Sequence, residues 1–326
     1  GRAPYESILS HGFVVDGKGM KMSKSAGNVI APDDILKNYG ADILRAWVAS
    51  SDYAEDLRID NIILAQHAES YRKIRNTFRF ILGNIQDSFE KQDFNKIDLN
   101  SFSELERYIL SRLFYLDRTI KDNLKNYNFH KLYKELLNFC SLELSSFYFD
   151  IRKDVLYCDD LSSKKRKDCI IVLNIILECL LKWLAPIFVF TTEEIFNLLN
   201  KNEKSIHETE FPKVPETWED SELIEKWKEL YQIKQKVNIA IEEKRTNKEI
   251  GSSLEANVTI NVDEKEYQLL ENLDLEEYFI ASKVKKIKNE KDDAIKIKVE
   301  KSSGTKCTLC WKILDKKCER KNCGVN

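Results

Sequence analysis

Between residues 61 and 184 of this chain, apolar residues recur at three- and four-residue steps, the spacing of one face of an α-helix. After Ser103, which with Glu106 has the spacing of a capping box, they are Leu105, Ile109, Leu113, Leu116, Ile120 and Leu124. The stretch from Phe129 to Ile151 repeats this pattern, and two further helical stretches occupy 61–86 and 163–184. The pattern predicts a bundle of four or five helices and a mainly α fold.

The remaining segments differ in composition and period. Pro32, Asp33 and Asp34 predict the first turn of a helix that Gly40 ends, and Asp42 is expected to cap the next helix. Period-two alternation near 254–262 and 295–299 predicts two strands flanking an acidic helical piece. We predict five segments: a mixed unit at 1–60, the helical bundle at 61–200, a polar linker at 201–220, a helix with a small α+β domain at 221–300, and a cysteine-bearing tail at 301–326.

The most apolar stretch, from Cys169 to Phe190, is long enough to raise the question of a membrane-spanning helix. Asn174, Glu178 and Lys182 interrupt it at four-residue intervals and so share one helical face, and Pro186 then breaks it. A helix of the bundle explains this pattern better, and we expect no membrane contact.

The chain begins with glycine, and neither an initiator methionine nor a signal segment is evident, so we expect a piece of a longer protein. Eight cysteines without a secretory signal favour reduced thiols and a cytoplasmic location. The chain has 52 Lys+Arg and 54 Asp+Glu, a net charge of −2. Any binding of nucleic acid must therefore depend on local basic patches.

The stretch "GMKMSKSAGN", residues 19–28, combines two lysines with glycines and serines. Lys21 and Lys24 can act as mobile charges, and Gly19 and Gly27 let the backbone approach a ligand closely. This combination suits a polyphosphate. The alternative, on these residues alone, is a basic serine-rich surface loop.

Four cysteines lie close together near the end of the chain: Cys307, Cys310, Cys318 and Cys323. Their spacing is C-x2-C, seven residues, then C-x4-C. Four thiolates would complete a closed tetrahedral site for one structural zinc ion. Disulfides and unpaired thiols are the alternatives. Nearby cations give the tail the character of a nucleic-acid-binding segment: Lys306, Lys312, Lys316, Lys317, Arg320 and Lys321.

The helical stretch "YRKIRNTFRF", residues 71–80, places Arg72, Arg75 and Arg79 three and four residues apart. They share one helical face and are candidates for contact with a phosphate backbone, although a merely solvated face has the same pattern.

The stretch from residue 1 to residue 53 resembles the segment around the signature loop of class I aminoacyl-tRNA synthetases. The motifs "HG", "D-x-x-G", "KMSKS-x-GN", "P-x-D" and "YGAD-x-LR" are similar to those of the branched-chain subgroup. "WVASSDY" is closer to the bacterial isoleucine-specific members than to the valine or leucine ones. Stretches such as "SYRKIRNTFRFILGN", "WLAPIFVFTTEEI" and "CTLCW" extend the resemblance over nearly the whole chain. The x4 gap between Cys318 and Cys323 departs from the x2 gap usual there, which makes the ligand assignment at these two cysteines the least secure.

The resemblance implies the end of a Rossmann catalytic domain, a helical anticodon-binding bundle and a zinc-binding tail. It implies ATP with Mg²⁺ and isoleucine as substrates and tRNA(Ile) as the RNA partner. Apart from the resemblance, we expect a monomer. Lys21 and Lys24 would stabilise the departing pyrophosphate, with Lys24 the more important contact. Ser23 and Ser25 would shape the loop. His11 and Gly12 either border the nucleotide or are purely structural.

The histidine motif and most of the nucleotide-binding sheet that the family uses for ATP do not occur in these 326 residues. We therefore predict that the chain alone does not activate isoleucine. Two other functions stay open at this point: a general RNA-binding module, and a valine-specific synthetase of the same class.

Overall fold

The computed structural model describes residues 3–85, 88–199, 205–289, 295–318 and 320, and these are mainly helical. Within residues 3–199 the elements are β1 (Val14–Asp16), α1 (Pro32–Asn38), α2 (Ala41–Ser50), β2 (Leu57–Ile59), α3 (Asn61–Ile85), α4 (Glu104–Lys125), α5 (Phe129–Asn138), a π-helical stretch (Phe139–Tyr148), α6 (Phe149–Cys158), α7 (Lys164–Leu184) and α8 (Val189–Leu199). The later elements are α9 (Ser221–Thr246), β3 (Ala256–Val262), α10 (Glu264–Leu269), α11 (Leu275–Tyr278), β4 (Lys283–Lys288), β5 (Lys296–Lys301), β6 (Thr305–Lys306) and β7 (Ile313–Leu314).

The chain forms two compact units. Unit 1 comprises Gly1–Ile97, Leu113–Ser145 and Leu173–Glu216. Unit 2 comprises Asp98–Arg112, Ser146–Val172 and Thr217–Asn326.

Unit 1 opens with a parallel pair, β1 and β2, connected through α1 and α2. Helix α1 starts at Pro32, as predicted, because proline has no N–H to leave unsatisfied at this position. Gly40 adopts φ 85°, a left-handed conformation that separates α1 from α2. The expectation that Asp42 caps α2 is wrong. Its carboxylate lies in the first turn of α2 and accepts hydrogen bonds from the backbone N–H groups of Phe190 and Thr191, at the start of α8.

The helical periodicity is confirmed in both units. Helices α3 and α7 match the predicted stretches at 61–86 and 163–184, and α4 begins directly after Ser103. Among the described residues, no helix is long and apolar enough to cross a membrane.

Unit 2 contains a three-stranded sheet in the order β4-β3-β5. The central strand β3 is parallel to β4 and antiparallel to β5, and its alternate residues Val258, Ile260 and Val262 are fully buried. The period-two alternation predicted β3 and β5, but β4 was not predicted. Its sequence "KVKKIK" has four lysines and lacks the alternation that marks a half-buried strand.

A buried ion-pair network organises the helices of unit 2. Both oxygens of the Glu106 carboxylate accept hydrogen bonds from the Arg152 guanidinium at 2.6 Å. Ser103 also donates to Glu106, and Arg152 forms a second ion pair of 2.8 Å with Glu277. Burial alone would raise the pKa of Glu106, but the attraction and hydrogen bonds of Arg152 outweigh burial and hold that pKa below its usual value.

Candidate functional site

The two lysines predicted to contact phosphate lie on an exposed loop between β1 and α1. The backbone of Lys21 pairs with Val15 in an isolated antiparallel bridge, which fixes one end of the loop. Lys24 lies in the following turn, where the Gly27 N–H donates to its carbonyl over 3.2 Å. Both lysine side chains are exposed, and neither forms an ion pair within the part of the chain that the structure describes. Their charges are therefore available to a ligand.

An amide and a carboxylate that sequence analysis had given no role hold this loop in shape. The Asn28 side chain accepts from the Ser23 N–H at 2.9 Å and donates to the Asp16 carboxylate at 2.9 Å and to the Lys21 carbonyl at 3.2 Å. The hydrogen bond from Asn28 is the main reason that the pKa of Asp16 lies below its ordinary value. Asn28 ends the motif "KMSKS-x-GN", and Asp16 begins the motif "D-x-x-G". The sequence therefore contained both residues within recognised motifs, but it did not show that they bind each other.

The loop serines contact each other and the turn. The hydroxyl oxygens of Ser23 and Ser25 lie 3.2 Å apart, and Ser23 also accepts from the Ala26 N–H. Gly27 follows with φ 67°, a conformation that a residue with a Cβ rarely adopts. These contacts are consistent with a loop-shaping role for both serines.

Met22, between the two lysines, anchors the loop to the core of unit 1. It packs against a cluster that includes Trp47 of α2, Leu57 of β2 and Leu64 of α3. The loop therefore has an apolar anchor flanked by two exposed cations.

His11 and Gly12 precede β1. The Gly12 N–H donates to the Tyr53 carbonyl at 2.8 Å, and a Cβ at position 12 would lie 2.2 Å from the Glu55 carbonyl oxygen. Glycine is thus required here for close backbone approach, which gives Gly12 a structural role. His11 is exposed, and its Nδ1 lies 2.7 Å from the Gly12 carbonyl oxygen.

A groove of about 480 Å³ lies between α3 and α8 in unit 1. Arg75 and Arg79 of α3 line it together with Phe78, Glu194 and Ile195. Its walls combine apolar surface with two exposed guanidinium groups and one exposed carboxylate, that of Glu194. The excess of positive charge beside apolar surface suits an RNA segment that offers bases and phosphates.

The three arginines predicted on one face of α3 are all exposed, but they differ in their contacts. Arg72 forms an ion pair with Glu69 on the same helix and does not line the groove. Arg75 donates to the Tyr71 hydroxyl at 3.1 Å. The structure therefore brings Arg75 and Arg79 together and leaves Arg72 outside the groove.

Three of the four predicted zinc ligands converge. The Sγ atoms of Cys307, Cys310 and Cys318 all lie within 4.8 Å of one another. The first two belong to a tight turn at the tip of the β6–β7 hairpin, closed by a hydrogen bond of 2.9 Å from the Cys307 N–H to the Lys312 carbonyl. Cys323 lies outside the described residues.

The donor set fits a zinc ion. Sulfurs at about 2.3 Å from a tetrahedral zinc are about 3.8 Å apart, a separation that lies within the spacing of this cluster. Burial, with the nearby Cys307 and Cys318 thiols, raises the pKa of Cys310 to about 11. A divalent cation would supply the charge that thiolates need at this place.

The cysteine turn packs against the end of α6. Cys310 lies in a buried cluster with Cys158, and Arg320 forms ion pairs with Asp154 at 2.8 Å and Asp159 at 3.2 Å. Of the tail cations that the sequence suggested for nucleic acid, Lys312 also pairs with Asp154, at 3.8 Å. Arg320 and Lys312 thus hold the tail onto α6.

Comparison with known families gives two matches. Residues 1–60 match the family described as tRNA synthetases class I (I, L, M and V). Residues 106–260 match the anticodon-binding domain of tRNA ligase.

Curated relatives cover nearly the whole chain. It is 61% identical over 320 residues to the isoleucine–tRNA ligase of Pelagibacter ubique, covering 98% of this chain and 35% of that protein. It is 43% identical to the isoleucine–tRNA ligase of Staphylococcus epidermidis strain RP62A, covering 95% of this chain and 34% of the relative. The chain thus spans about a third of the length of these relatives.

Among solved structures, the chain is similar to a leucine enzyme of Agrobacterium radiobacter K84, crystallised as a LeuRS–tRNA–LeuAMS ternary complex. The TM-score is 0.51 at 17% identity, covering 78% of this chain and 25% of that one. At this level of identity the likeness concerns the fold alone.

Proposed function

Since the chain belongs to the class I tRNA synthetases, and within them to the isoleucine–tRNA ligases, we propose that it supplies three parts of such an enzyme. These parts are a loop that binds the phosphates of ATP, a helical groove that binds the anticodon region of tRNA(Ile), and a zinc-binding tail. The observation that carries the proposal is the identity to isoleucine–tRNA ligases along almost the full chain. The exposed lysine loop and the arginine-lined groove supply the chemistry.

The loop would act on ATP during amino-acid activation. The isoleucine carboxylate attacks the α-phosphate, and pyrophosphate leaves with a growing negative charge. Lys21 and Lys24 carry exposed charges that can close on the departing phosphates, which lowers the barrier because the attraction is strongest in the transition state. The Asn28–Asp16 hydrogen bond would hold the loop in shape for the ligand. Mg²⁺ would enter with ATP as part of the substrate.

The loop assignment is tested in an isoleucine–tRNA ligase that carries this segment. Lys24→Ala should slow isoleucyl-adenylate formation by at least about 100-fold with little change in isoleucine binding. Lys18→Ala is the matched control, because it removes an exposed loop cation that lies before the lysine motif. Equal activation rates for wild type and Lys24→Ala would refute the role of Lys24. We propose that His11 and Gly12 lie at the border of the nucleotide site only because of where the lysine loop is positioned.

The groove between α3 and α8 is proposed to bind the anticodon arm. Arg75 and Arg79 offer charge to the phosphates, and the half-buried Leu82 and the exposed Leu198 offer apolar surface to bases. Arg72 is proposed as a weaker contact at the rim, since Glu69 already offsets part of its charge.

The groove assignment predicts a salt-dependent loss of RNA affinity. Arg75→Gln and Arg79→Gln should each weaken binding of tRNA(Ile) transcript and lower the salt slope by about one. Arg118→Gln is the control, since Arg118 is an exposed arginine of unit 1 outside the groove, 3.7 Å from Glu216. If Arg75→Gln and Arg79→Gln bind the transcript as tightly as the Arg118→Gln control does, the groove does not contact the RNA.

The tail is proposed to hold one structural zinc ion through Cys307, Cys310 and Cys318, with Cys323 as the fourth ligand. The convergence of three thiols at the tip of a hairpin supports this proposal. The ion would fix the turn and its exposed side chains for contact with tRNA.

We also propose that the segments 1–60, 61–200, 201–220, 221–300 and 301–326 are the functional divisions of the chain. Three further statements stay predictions: that the chain is a monomer, that it is located in the cytoplasm, and that it does not activate isoleucine by itself. A general RNA-binding module would bind all tRNAs alike, and a valine-specific enzyme would prefer tRNA(Val).

A further inference from the structure

A chain of hydrogen bonds leads from Arg75 in the groove to a buried carboxylate on α2. Arg75 Nη1 donates to the Tyr71 hydroxyl at 3.1 Å. The hydroxyl oxygens of Tyr71 and Thr191 lie 2.7 Å apart, and Thr191 Oγ1 donates to the Asp42 carboxylate at 2.6 Å. These four side chains, from α2, α3 and α8, all belong to unit 1.

We call this chain of hydrogen bonds the relay. The direction of each donated proton in it follows from its last member, the Asp42 carboxylate. A carboxylate only accepts, so the Thr191 hydroxyl proton points to Asp42, and the Thr191 oxygen is left to accept from Tyr71. The Tyr71 proton then points to Thr191, which leaves the Tyr71 oxygen facing Arg75 as an acceptor. Hydrogen bonds that are aligned in this way polarise and strengthen one another.

The Asp42 end of the relay is rigidly held. Asp42 is only 7% exposed and also accepts from the Phe190 N–H at 3.2 Å and the Thr191 N–H at 2.8 Å. The positive end of the α8 dipole stabilises a negative charge at this place. One turn further along α2, Arg45 donates to the carbonyl oxygens of Pro186 and Ile187, just before α8.

We infer that Asp42, Thr191 and Tyr71 are positioning residues that orient the Arg75 guanidinium in the groove for contact with an RNA phosphate. An unrestrained arginine loses rotamer freedom when it binds, and a pre-oriented guanidinium loses less. The inference rests on the proposed binding of tRNA in the groove. It goes beyond that proposal by assigning a positioning function to three side chains other than the arginines, of which Thr191 also lines the groove.

Two variants each break one link while keeping the side-chain shape. Thr191→Val and Tyr71→Phe should each weaken binding of tRNA(Ile) transcript by about three- to tenfold. The double variant should be no weaker than either single one, because a relay that is already broken loses nothing more.

The fold supplies a matched control for each variant. Thr192, the next residue of α8, is fully buried and donates its hydroxyl to the carbonyl of Phe188, the residue directly before α8. Tyr133 packs edge-on against the Phe188 ring as Tyr71 does, and its hydroxyl has no hydrogen-bond partner among the described residues. Thr192→Val and Tyr133→Phe should leave the affinity for RNA unchanged. Thr191→Ser, which retains the hydroxyl, should restore it.

Repeating the substitutions in an Arg75→Gln background separates the inference from the proposal on which it rests. If Arg75→Gln alone does not weaken binding, the groove proposal fails. If it weakens binding but Thr191→Val and Tyr71→Phe do not, the groove stands and the relay is refuted. If Thr191→Val weakens binding as much without Arg75 as with it, its effect is a general structural one, and the relay is again refuted.

Discussion

Lys234 of α9 offers a quantitative test of the packing in unit 2. Its side chain is 3% exposed, and Nζ donates to the Tyr278 carbonyl and lies 5.1 Å from the centre of the Tyr278 ring. Burial lowers the pKa of Lys234 to about 8, although the charge of Asp150 acts in the opposite direction. In the unfolded chain the same amine would titrate near 10.5.

The difference between these two pKa values corresponds to about 3 kcal/mol of cost for keeping the folded lysine charged. The cost is fully present below pH 8. Between pH 8 and 10.5 the unfolded chain binds more protons than the folded one, so this group makes stability rise with pH. From pH 7 to pH 9.5 the gain from Lys234 should be about 2 kcal/mol.

Lys234→Met keeps an unbranched apolar stem and removes the titrating amine. At pH 7 the variant should be more stable than wild type by about 2 kcal/mol, because relief of the buried charge exceeds the lost hydrogen bond to the Tyr278 carbonyl, which is worth about 1 kcal/mol. Urea unfolding of both proteins at pH 7 and pH 9.5 measures the difference. The advantage of the variant should disappear at pH 9.5. The same stability difference at both pH values would refute the reasoning.

Glu106→Gln should destabilise the chain by about 3 kcal/mol in urea unfolding at pH 7, since it leaves the buried Arg152 charge with only one of these two carboxylates, that of Glu277. The stabilisation from Glu106 is complete above the ordinary glutamate range and is lost as pH falls through its lowered pKa, so the difference between the two proteins should shrink in acid. Gly12→Ala should lower the melting temperature through about 1–3 kcal/mol of overpacking, whereas Gly83→Ala, where a Cβ meets nothing within 4 Å, should not. Cys310→Ser should lose the single zinc ion that metal analysis is expected to find in wild type, and equal zinc content in both proteins would contradict the site.

The helices were predictable because each depends on a local period. Helix α3 buries Leu64, Ile74, Phe78 and Ile81 at helical spacing, and this pattern is visible without any partner. Contacts between distant residues were not predictable. Asp42 looks like a helix cap in sequence, but it binds a helix start 149 residues away.

The candidate sites likewise divide into those that depend on neighbouring residues and those that depend on contacts between distant residues. The lysine loop and the cysteine turn are short motifs whose chemistry depends on neighbouring residues. The relay that ends on Arg75 joins three helices, and its hydroxyl groups carry no sequence signal that distinguishes them from other buried threonines and tyrosines. Lysine-rich β4 was missed because its membership of the sheet depends on pairing with β3 rather than on its own pattern.

We propose that this chain recognises tRNA(Ile) through its anticodon. The most direct measurement is the affinity of the zinc-loaded chain, at one fixed salt concentration, for isoleucine and valine tRNA transcripts with native and exchanged anticodons. We predict that affinity follows the isoleucine anticodon, whichever tRNA body carries it. Equal affinity for all four transcripts would contradict the claim.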